Sequence, residues 1–281
     1  MDQSKISDRI EACCKNTDAG ELPKAVKIEL TTRCNHSCVY CMNTKMKRHY
    51  DMSYDVFSLV LEDLRKYFIP EVGMFHIGES TLHPQLPLWH RLVKTTSPET
   101  KTFLTTNGTL LKPLLKLMHD GLGSLKFSMN GWDRASQKEL TGFDDFDLVQ
   151  DNVRAVLKAR DENHWKTQVS GSALLSSSHE AQMKFKAEME KILDCFYMTE
   201  VFTQAANMHP KPGSSNDVLK THEFPCYAPF NMLYVMPDGA MSLCKWGRSD
   251  EFIVGNILSM DIKTAWSSAK AREIRKQHLA H

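Results

Sequence analysis

Apolar positions along this chain keep switching between two periods. Residues 25–30, Ala-Val-Lys-Ile-Glu-Leu, alternate and read as a strand. Over 53–68, Val56, Leu59, Val60 and Leu64 fall at helical spacing, with Ser53 as a candidate N-cap. The alternation continues. Strands are expected over 72–77, 101–105, 124–129, 168–175 and 196–204, and helices over 87–95, 110–120, 146–160 and 180–193. Residues 1–20 read as a short, mostly polar helical lead-in. Gly78-Glu79, Thr106-Asn107-Gly108 and Asn130-Gly131 close three of the strands as turns.

Strands alternating with helices imply βαβ units and a parallel sheet. Six such units fit an α/β fold of a definite kind: a partial (β/α)6 TIM-like barrel, open on one side, with the polar and glycine motifs at the carboxyl ends of the strands. After about residue 208 the pattern changes. Pro210, Pro212 and Gly213 mark a linker, and Pro237-Asp238-Gly239 joins two apolar runs as a hairpin. Residues 261–277 read as one closing helix. The expected organisation is therefore a lead-in over 1–23, a barrel over 24–208, and a small β-hairpin-plus-helix appendage over 209–281.

Composition narrows the function classes. The chain has 281 residues, 42% apolar and 25% charged, as an ordinary globular protein does. Its 35 basic and 34 acidic side chains leave a net charge of +1, so bulk charge gives no reason to expect nucleic acid or an anionic membrane as partner. The basic run at 45–49 reads as a solvated loop. No apolar stretch reaches signal-peptide or membrane-spanning length. A cytoplasmic location is expected, and there the eight cysteines read as metal ligands or redox groups rather than disulfides.

The chemistry concentrates in Cys34-Asn-His-Ser-Cys38-Val-Tyr-Cys41, a C-x3-C-x2-C loop directly after the first strand. Three thiolates so close together can hold three irons of a [4Fe–4S] cube and leave the fourth iron open to a small chelating ligand. A structural zinc knuckle is the competing reading, but zinc in that role takes four closed ligands, and His36 sits at the wrong spacing to complete the set.

With Tyr40 just before the third cysteine, this loop resembles the radical S-adenosylmethionine (SAM) superfamily, and the resemblance extends over about 24–206. It implies that Cys34, Cys38 and Cys41 ligate the cluster. Gly78-Glu79 resembles the end of the family's Gly-Gly-Glu motif, with Ile77 in place of the first glycine, and implies that Glu79 binds the SAM amino group. Asn107 lies in a turn like the family's third strand end. Ser128 and Asn130 resemble a Ser-x-Asp-Gly element that reaches the SAM ribose and carboxylate, with Asn for Asp. The activity so implied is reductive cleavage of SAM to a 5′-deoxyadenosyl radical, which abstracts hydrogen from a substrate. A one-electron reductant such as flavodoxin or ferredoxin would supply the electron.

At the other end, Cys226-x12-Gly239-x4-Cys244 resembles the opening of SPASM/twitch appendages, without the later cysteines. Three readings remain open for Cys226 and Cys244: ligands of a second iron–sulfur cluster completed by Cys195, Cys13 or Cys14, a hydrogen-atom donor to the substrate radical, or small core residues. Cys195 and the Cys13-Cys14 pair themselves read mainly as structural. His76 and His83 flank Glu79 and read as structural or mouth-lining. Trp132, Trp246 and Trp266 read as packing residues.

Three functions compete. The first is epimerisation or dehydrogenation of a small polar molecule of the sugar or aminocyclitol type. The second is modification of a ribosomal peptide, which the roughly 24 residues ahead of the first strand disfavour as too few for a separate leader-binding domain, although a partner chain could supply one. The third is a cluster-bearing binding or sensor protein, which would have no use for the strand-end motifs.

Overall fold

The computed structural model describes residues 17–46, 49–175, 179–199, 226–245 and 248–280. Most of the expected lead-in, the linker, the end of the sixth strand, Cys13, Cys14 and Trp246 lie outside them.

Six parallel strands run in sequence order: β1 (Ala25–Ile28), β2 (Glu71–Gly73), β3 (Lys101–Thr106), β4 (Ser124–Asn130), β5 (Gln168–Leu174) and β6 (Cys195–Thr199). Between them lie α1 (Tyr54–Lys66), α2 (Leu86–Thr96), α3 (Leu111–His119), α4 (Arg134–Thr141), α5 (Phe146–Glu162) and α6 (His179–Met189). Because the strand order never reverses, right-handed crossovers put every connecting helix on one face, the arrangement of a barrel wall. Side-chain alternation shows the same thing. Val26, Ile28, Val72, Leu104, Leu125, Phe127 and Val169 are buried in the core beneath the helices. Lys27, Phe103, Thr105, Lys126 and Ser170 have the opposite parity and point into the lumen. The fold is α/β, an open parallel (β/α)6 barrel.

Two elements depart from the expected pattern within the barrel. β2 stops at Gly73 rather than 77, because the backbone beyond it turns to bond the loop after β1: Ile77 N donates to the Glu29 carboxylate at 3.2 Å and Glu79 N to Arg33 O at 2.8 Å. α4 was not anticipated. It starts on a capping box between Asp133 and Ser136 and ends at Gly142, whose φ of 82° is left-handed.

The C-terminal region is more continuous with the barrel than a hairpin-plus-helix appendage implies. After α7 (Ala228–Asn231), β7 (Met232–Val235) lies parallel to β1, with Lys27 opposite Tyr234. The expected hairpin pairs β7 with β8 (Ala240–Ser242), and a third strand, β9 (Ile253–Asn256), follows antiparallel. The nine strands among the described residues form one sheet. The closing helix is two helices, α8 (Ile262–Trp266) and α9 (Ala269–Leu279), broken where the Ser268 hydroxyl caps Ala271 N at 3.1 Å. Trp266 is fully buried, donates to Ala19 O at 3.1 Å and stacks under Arg275, a packing role as expected. No helix among the described residues is long and apolar enough to cross a membrane.

Candidate active site

The cysteine loop leaves β1 at the carboxyl edge of the sheet and is held from two sides. Ahead of it, Thr31 and Arg33 are fixed to one carboxylate. Thr31 Oγ1 donates to Asp51 Oδ1 at 2.5 Å, and Arg33 grips both oxygens at 2.9 and 2.7 Å. Thr32 N donates to Tyr50 O at 2.9 Å. Behind it, Ser37 N and Val39 N donate to the carbonyls of Thr141 and Leu140 at 2.9 and 3.0 Å, so the end of α4 serves as a backbone clamp. The His36 ring is buried, with Nε2 2.6 Å from Asp145 Oδ2, which gives it a structural partner.

Between these anchors Cys34, Cys38 and Cys41 are partly buried and unpaired as disulfides. Burial, and then the negative charges of Glu79 and Cys41, pushes the Cys34 thiol up to about 11. Cys38 rises to about 12 from burial and the charges of its two neighbours, and Cys41 rises as well, burial again first. Thiols whose ionisation burial opposes in this way stay protonated at neutral pH unless a cation binds them. The Tyr40 hydroxyl lies beside the Cys38 thiol, near enough to offset part of the effect of burial. Among the described residues, no group of three His, Cys, Asp or Glu side chains is placed to hold a single metal ion. A soft, all-thiol donor set with the loop histidine engaged elsewhere fits an iron–sulfur cube, whose thiolates each meet a different iron.

Gly78 brings the β2 loop onto this loop. A Cβ there would run into the Thr31 carbonyl and lie 2.8 Å from that of Arg33, so only glycine fits. Glu79 is buried and almost saturated. Its Oε1 accepts from Thr81 N (3.0 Å), Thr81 Oγ1 (2.7 Å) and Thr106 Oγ1 (2.9 Å), and its Oε2 from Asn107 N (2.8 Å). A carboxylate has about four acceptor sites, two per oxygen, so the remaining capacity lies on Oε2. The Asn107 side chain ties β3 to the cysteine loop, its Nδ2 donating to Asn35 Oδ1 at 2.7 Å. On β4, Asn130 takes a left-handed φ of 59°, and the pairing with β5 shifts register between Ser128 and Asn130. Neither the Ser128 nor the Asn130 side chain hydrogen-bonds another described residue, unlike Asn107 and Glu79.

A second buried carboxylate, Glu29, links the barrel to the C-terminal strands. Burial raises its pKa, but the His76 ring, whose Nδ1 lies 3.6 Å from Oε2, and the charge of Arg248 outweigh that and hold it below the usual range. Arg248 pairs with Glu29 directly, and His76 Nε2 lies 2.6 Å from the carbonyl of Lys245, the residue after Cys244. Cys226 and Cys244 are partly buried, and each is near enough for its charge to act on Tyr234 and Lys245. Cys195 does not join them. It lies buried at the start of β6, beside Glu190 and Asp194. His83 packs against Trp89 at 4.6 Å, a structural position. Sequence reasoning did not single out Glu29, Arg248, Lys27 or Lys126. The signal for Glu29 and Lys27 was available, since both are charged residues at alternate positions of an otherwise apolar strand.

The profile of the radical SAM superfamily matches residues 28–168, from the end of β1 to the start of β5. The chain belongs to the radical SAM superfamily. A second profile, that of an iron–sulfur cluster-binding domain (SPASM), matches residues 226–281. Together they imply [4Fe–4S] chemistry and SAM as cofactors of this radical SAM enzyme. Among curated relatives, a tungsten-containing aldehyde ferredoxin oxidoreductase cofactor-modifying protein of Pyrococcus furiosus is 32% identical over 149 residues, covering 50% of this chain and 40% of that protein. A probable GTP 3′,8-cyclase of Saccharolobus solfataricus is 34% identical over 134 residues, 47% of this chain and 43% of that one. The chain thus spans less than half the length of either. Among solved structures, BtrN in complex with AdoMet and 2-DOIA superposes with a TM-score of 0.61 at 19% identity, covering 92% of this chain and 87% of that one. SuiB of Streptococcus suis bound to precursor peptide SuiA gives 0.70 at 13% identity, with coverage of 96% and 71%. These likenesses establish the radical SAM fold.

Proposed function

We propose that Cys34, Cys38 and Cys41 ligate the [4Fe–4S] cluster, and that the enzyme removes hydrogen from a C–H bond of a small polar substrate in the lumen, giving epimerisation or dehydrogenation. The observation that carries this reading is the convergence at one strand edge of three partly buried thiols and the buried Glu79, tied together by the close approach of Gly78 to Thr31 and the bond from Glu79 N to Arg33 O. Cluster and SAM together supply a one-electron cleavage of a carbon–sulfur bond and hence a carbon radical.

The chain's own residues then have distinct tasks. Glu79 Oε2 accepts the ammonium of SAM, held in place by the four donors that already orient the carboxylate. Ser128 and Asn130 present unsatisfied polar groups to its ribose and carboxylate. Gly78 sets the distance between the two loops, and Asn107 fastens the turn after β3 to Asn35. Tyr40 steadies Cys38. A flavodoxin or ferredoxin is the proposed electron source. The functional boundaries proposed are a barrel over 24–208 and a SPASM-like region over 209–281.

Cys226 and Cys244 terminate the reaction in one of two ways. As a hydrogen donor, one thiol gives up its S–H bond to a substrate radical, forming C–H and leaving a thiyl to be reduced by one electron and one proton. As ligands of a second cluster, they would serve dehydrogenation, that cluster accepting one electron from the substrate radical as a proton is released. Turnover in D2O separates these. Epimerisation puts one solvent deuterium on the product carbon, and dehydrogenation puts none. With Cys226→Ala and Cys244→Ala, a loss of turnover at full iron content marks the donor, and a loss of one cluster's iron marks the ligand. If neither change affects turnover or iron, both roles fail. A peptide substrate is the second reading, supported by the shared fold of SuiB with its bound precursor peptide.

A further inference from the structure

Among the described residues, two buried lysines face the lumen beneath the strand-end motifs. Lys27 on β1 and Lys126 on β4 enter it from strands separated by two others, both with lumen parity. The Lys27 ammonium lies among three rings, 4.9 Å from the centre of Phe75, 5.8 Å from Phe103 and 5.6 Å from Tyr234. That of Lys126 lies 5.4 Å from Tyr197. The ring faces offset part of the desolvation cost, but they do not neutralise a charge.

Nearby acids do not neutralise these groups either. Glu29, just past β1, is engaged by His76 and Arg248. Glu71 is the acid whose charge reaches Lys27, and it sits at the foot of β2, opposite Ala25. Neither lysine makes a salt bridge to a described residue. Burial, then the charges of Lys245 and Lys126, brings Lys27 down to about 7, and burial lowers Lys126 as well. With no acid among the described residues bound to either amine, burial disfavours their charged forms, and an anion bound between them would favour those forms.

We propose that Lys27 and Lys126 form an anion subsite at the floor of the lumen, which receives a carboxylate or phosphate group of the small-molecule substrate. The inference rests on the radical SAM reading above and narrows its substrate class. On β4, Lys126 lies two positions below Ser128 on the same face, so a substrate anchored there by its anionic end directs its carbon skeleton up toward the proposed SAM site. A sugar phosphate or sugar acid fits this floor. A protonated aminocyclitol meets like charge.

The test uses full-length protein with its cluster reconstituted, saturated with SAM and titrated by calorimetry with inorganic pyrophosphate, with succinate, and with 2-deoxystreptamine. Pyrophosphate or succinate is expected to bind, with affinity at least tenfold lower in Lys27→Met and in Lys126→Met and largely restored in Lys126→Arg. The stronger of the two anions identifies the phosphate or carboxylate source. Three results would overturn the proposal: no anion binding by the parent protein, equal binding by folded Met variants, or tighter binding of 2-deoxystreptamine. A fall in SAM affinity in either variant would also overturn it, by assigning the lysines to the carboxylate of SAM. Reductive SAM cleavage by the parent protein, measured without any anion, checks the underlying reading separately.

Discussion

Glu79 Oε2 accepts the backbone N–H of Asn107 at 2.8 Å, so the carboxylate after β2 is positioned by the turn after β3. Three further donors fix the other oxygen. This carboxylate is already oriented before any ligand arrives. It should therefore act as a rigid acceptor whose charge, rather than its reach, is what a cationic ligand uses.

Glu79→Gln keeps the shape but removes the charge and presents an amide N–H to the Asn107 N–H or the threonine hydroxyls. A charge-assisted hydrogen bond contributes about 1.5–3 kcal/mol, so SAM affinity should fall about tenfold or more. Equilibrium dialysis with labelled SAM measures it. Unchanged affinity would remove Glu79 from the SAM site.

Gly78→Ala places a methyl group against the carbonyls of Thr31 and Arg33, just ahead of Cys34. The barrel core lies on the other face of the sheet and should fold. The expected outcome is native-like circular dichroism with most of the iron lost. Full iron content with normal SAM cleavage would show that this close approach does not shape the cysteine loop.

Much of this site was legible in the sequence, for local reasons. Ser53 caps its helix because the cap and the first turn are neighbours in the chain, and Cys34, Cys38 and Cys41 lie within one loop. What was not legible depends on distant partners. β7 lies beside β1 across about two hundred residues of sequence, so an apolar run at 232–235 reads equally well as half of an isolated hairpin. The position of β9 is set the same way, by β8. α4 was missed because its core-facing positions are polar: Ser136, Gln137 and Thr141 are buried, which hides its period. Which partner His36 takes was likewise invisible until Asp145 came within 2.6 Å.

The pairing of β7 with β1 makes the C-terminal region part of one cooperative unit. Trp266→Ala removes a fully buried side chain and its bond to Ala19, at a cost of about 3–5 kcal/mol. The whole chain should then melt in a single transition at lower temperature. Two separate transitions in calorimetry would contradict the shared sheet.

His90 predicts an acid sensitivity. It is fully buried, with Nε2 2.8 Å from Thr102 Oγ1, and burial lowers its pKa from 6.5 to about 4. The unfolded chain takes up this proton below 6.5 and the folded chain does not until about 4. The stability from neutral His90 is therefore present above 6.5 and lost as pH falls toward 4. By pH 5 the loss is about 2 kcal/mol. Urea titrations at pH 7.5 and 5.0 should show that His90→Gln loses less stability on acidification than the parent by about that amount. Equal losses would mean that His90 is not kept neutral by the fold.

The central claim is that Cys34, Cys38 and Cys41 hold a cluster with an iron open to SAM. Anaerobic reconstitution, dithionite reduction and electron paramagnetic resonance with and without SAM test it directly, alongside chromatography for 5′-deoxyadenosine. The account predicts a reduced [4Fe–4S] signal that shifts when SAM is added, 5′-deoxyadenosine as product, and loss of both in the Cys34→Ala, Cys38→Ala, Cys41→Ala triple variant. Bound zinc in place of iron with no SAM cleavage, or a SAM-responsive signal that survives in the triple variant, would contradict it.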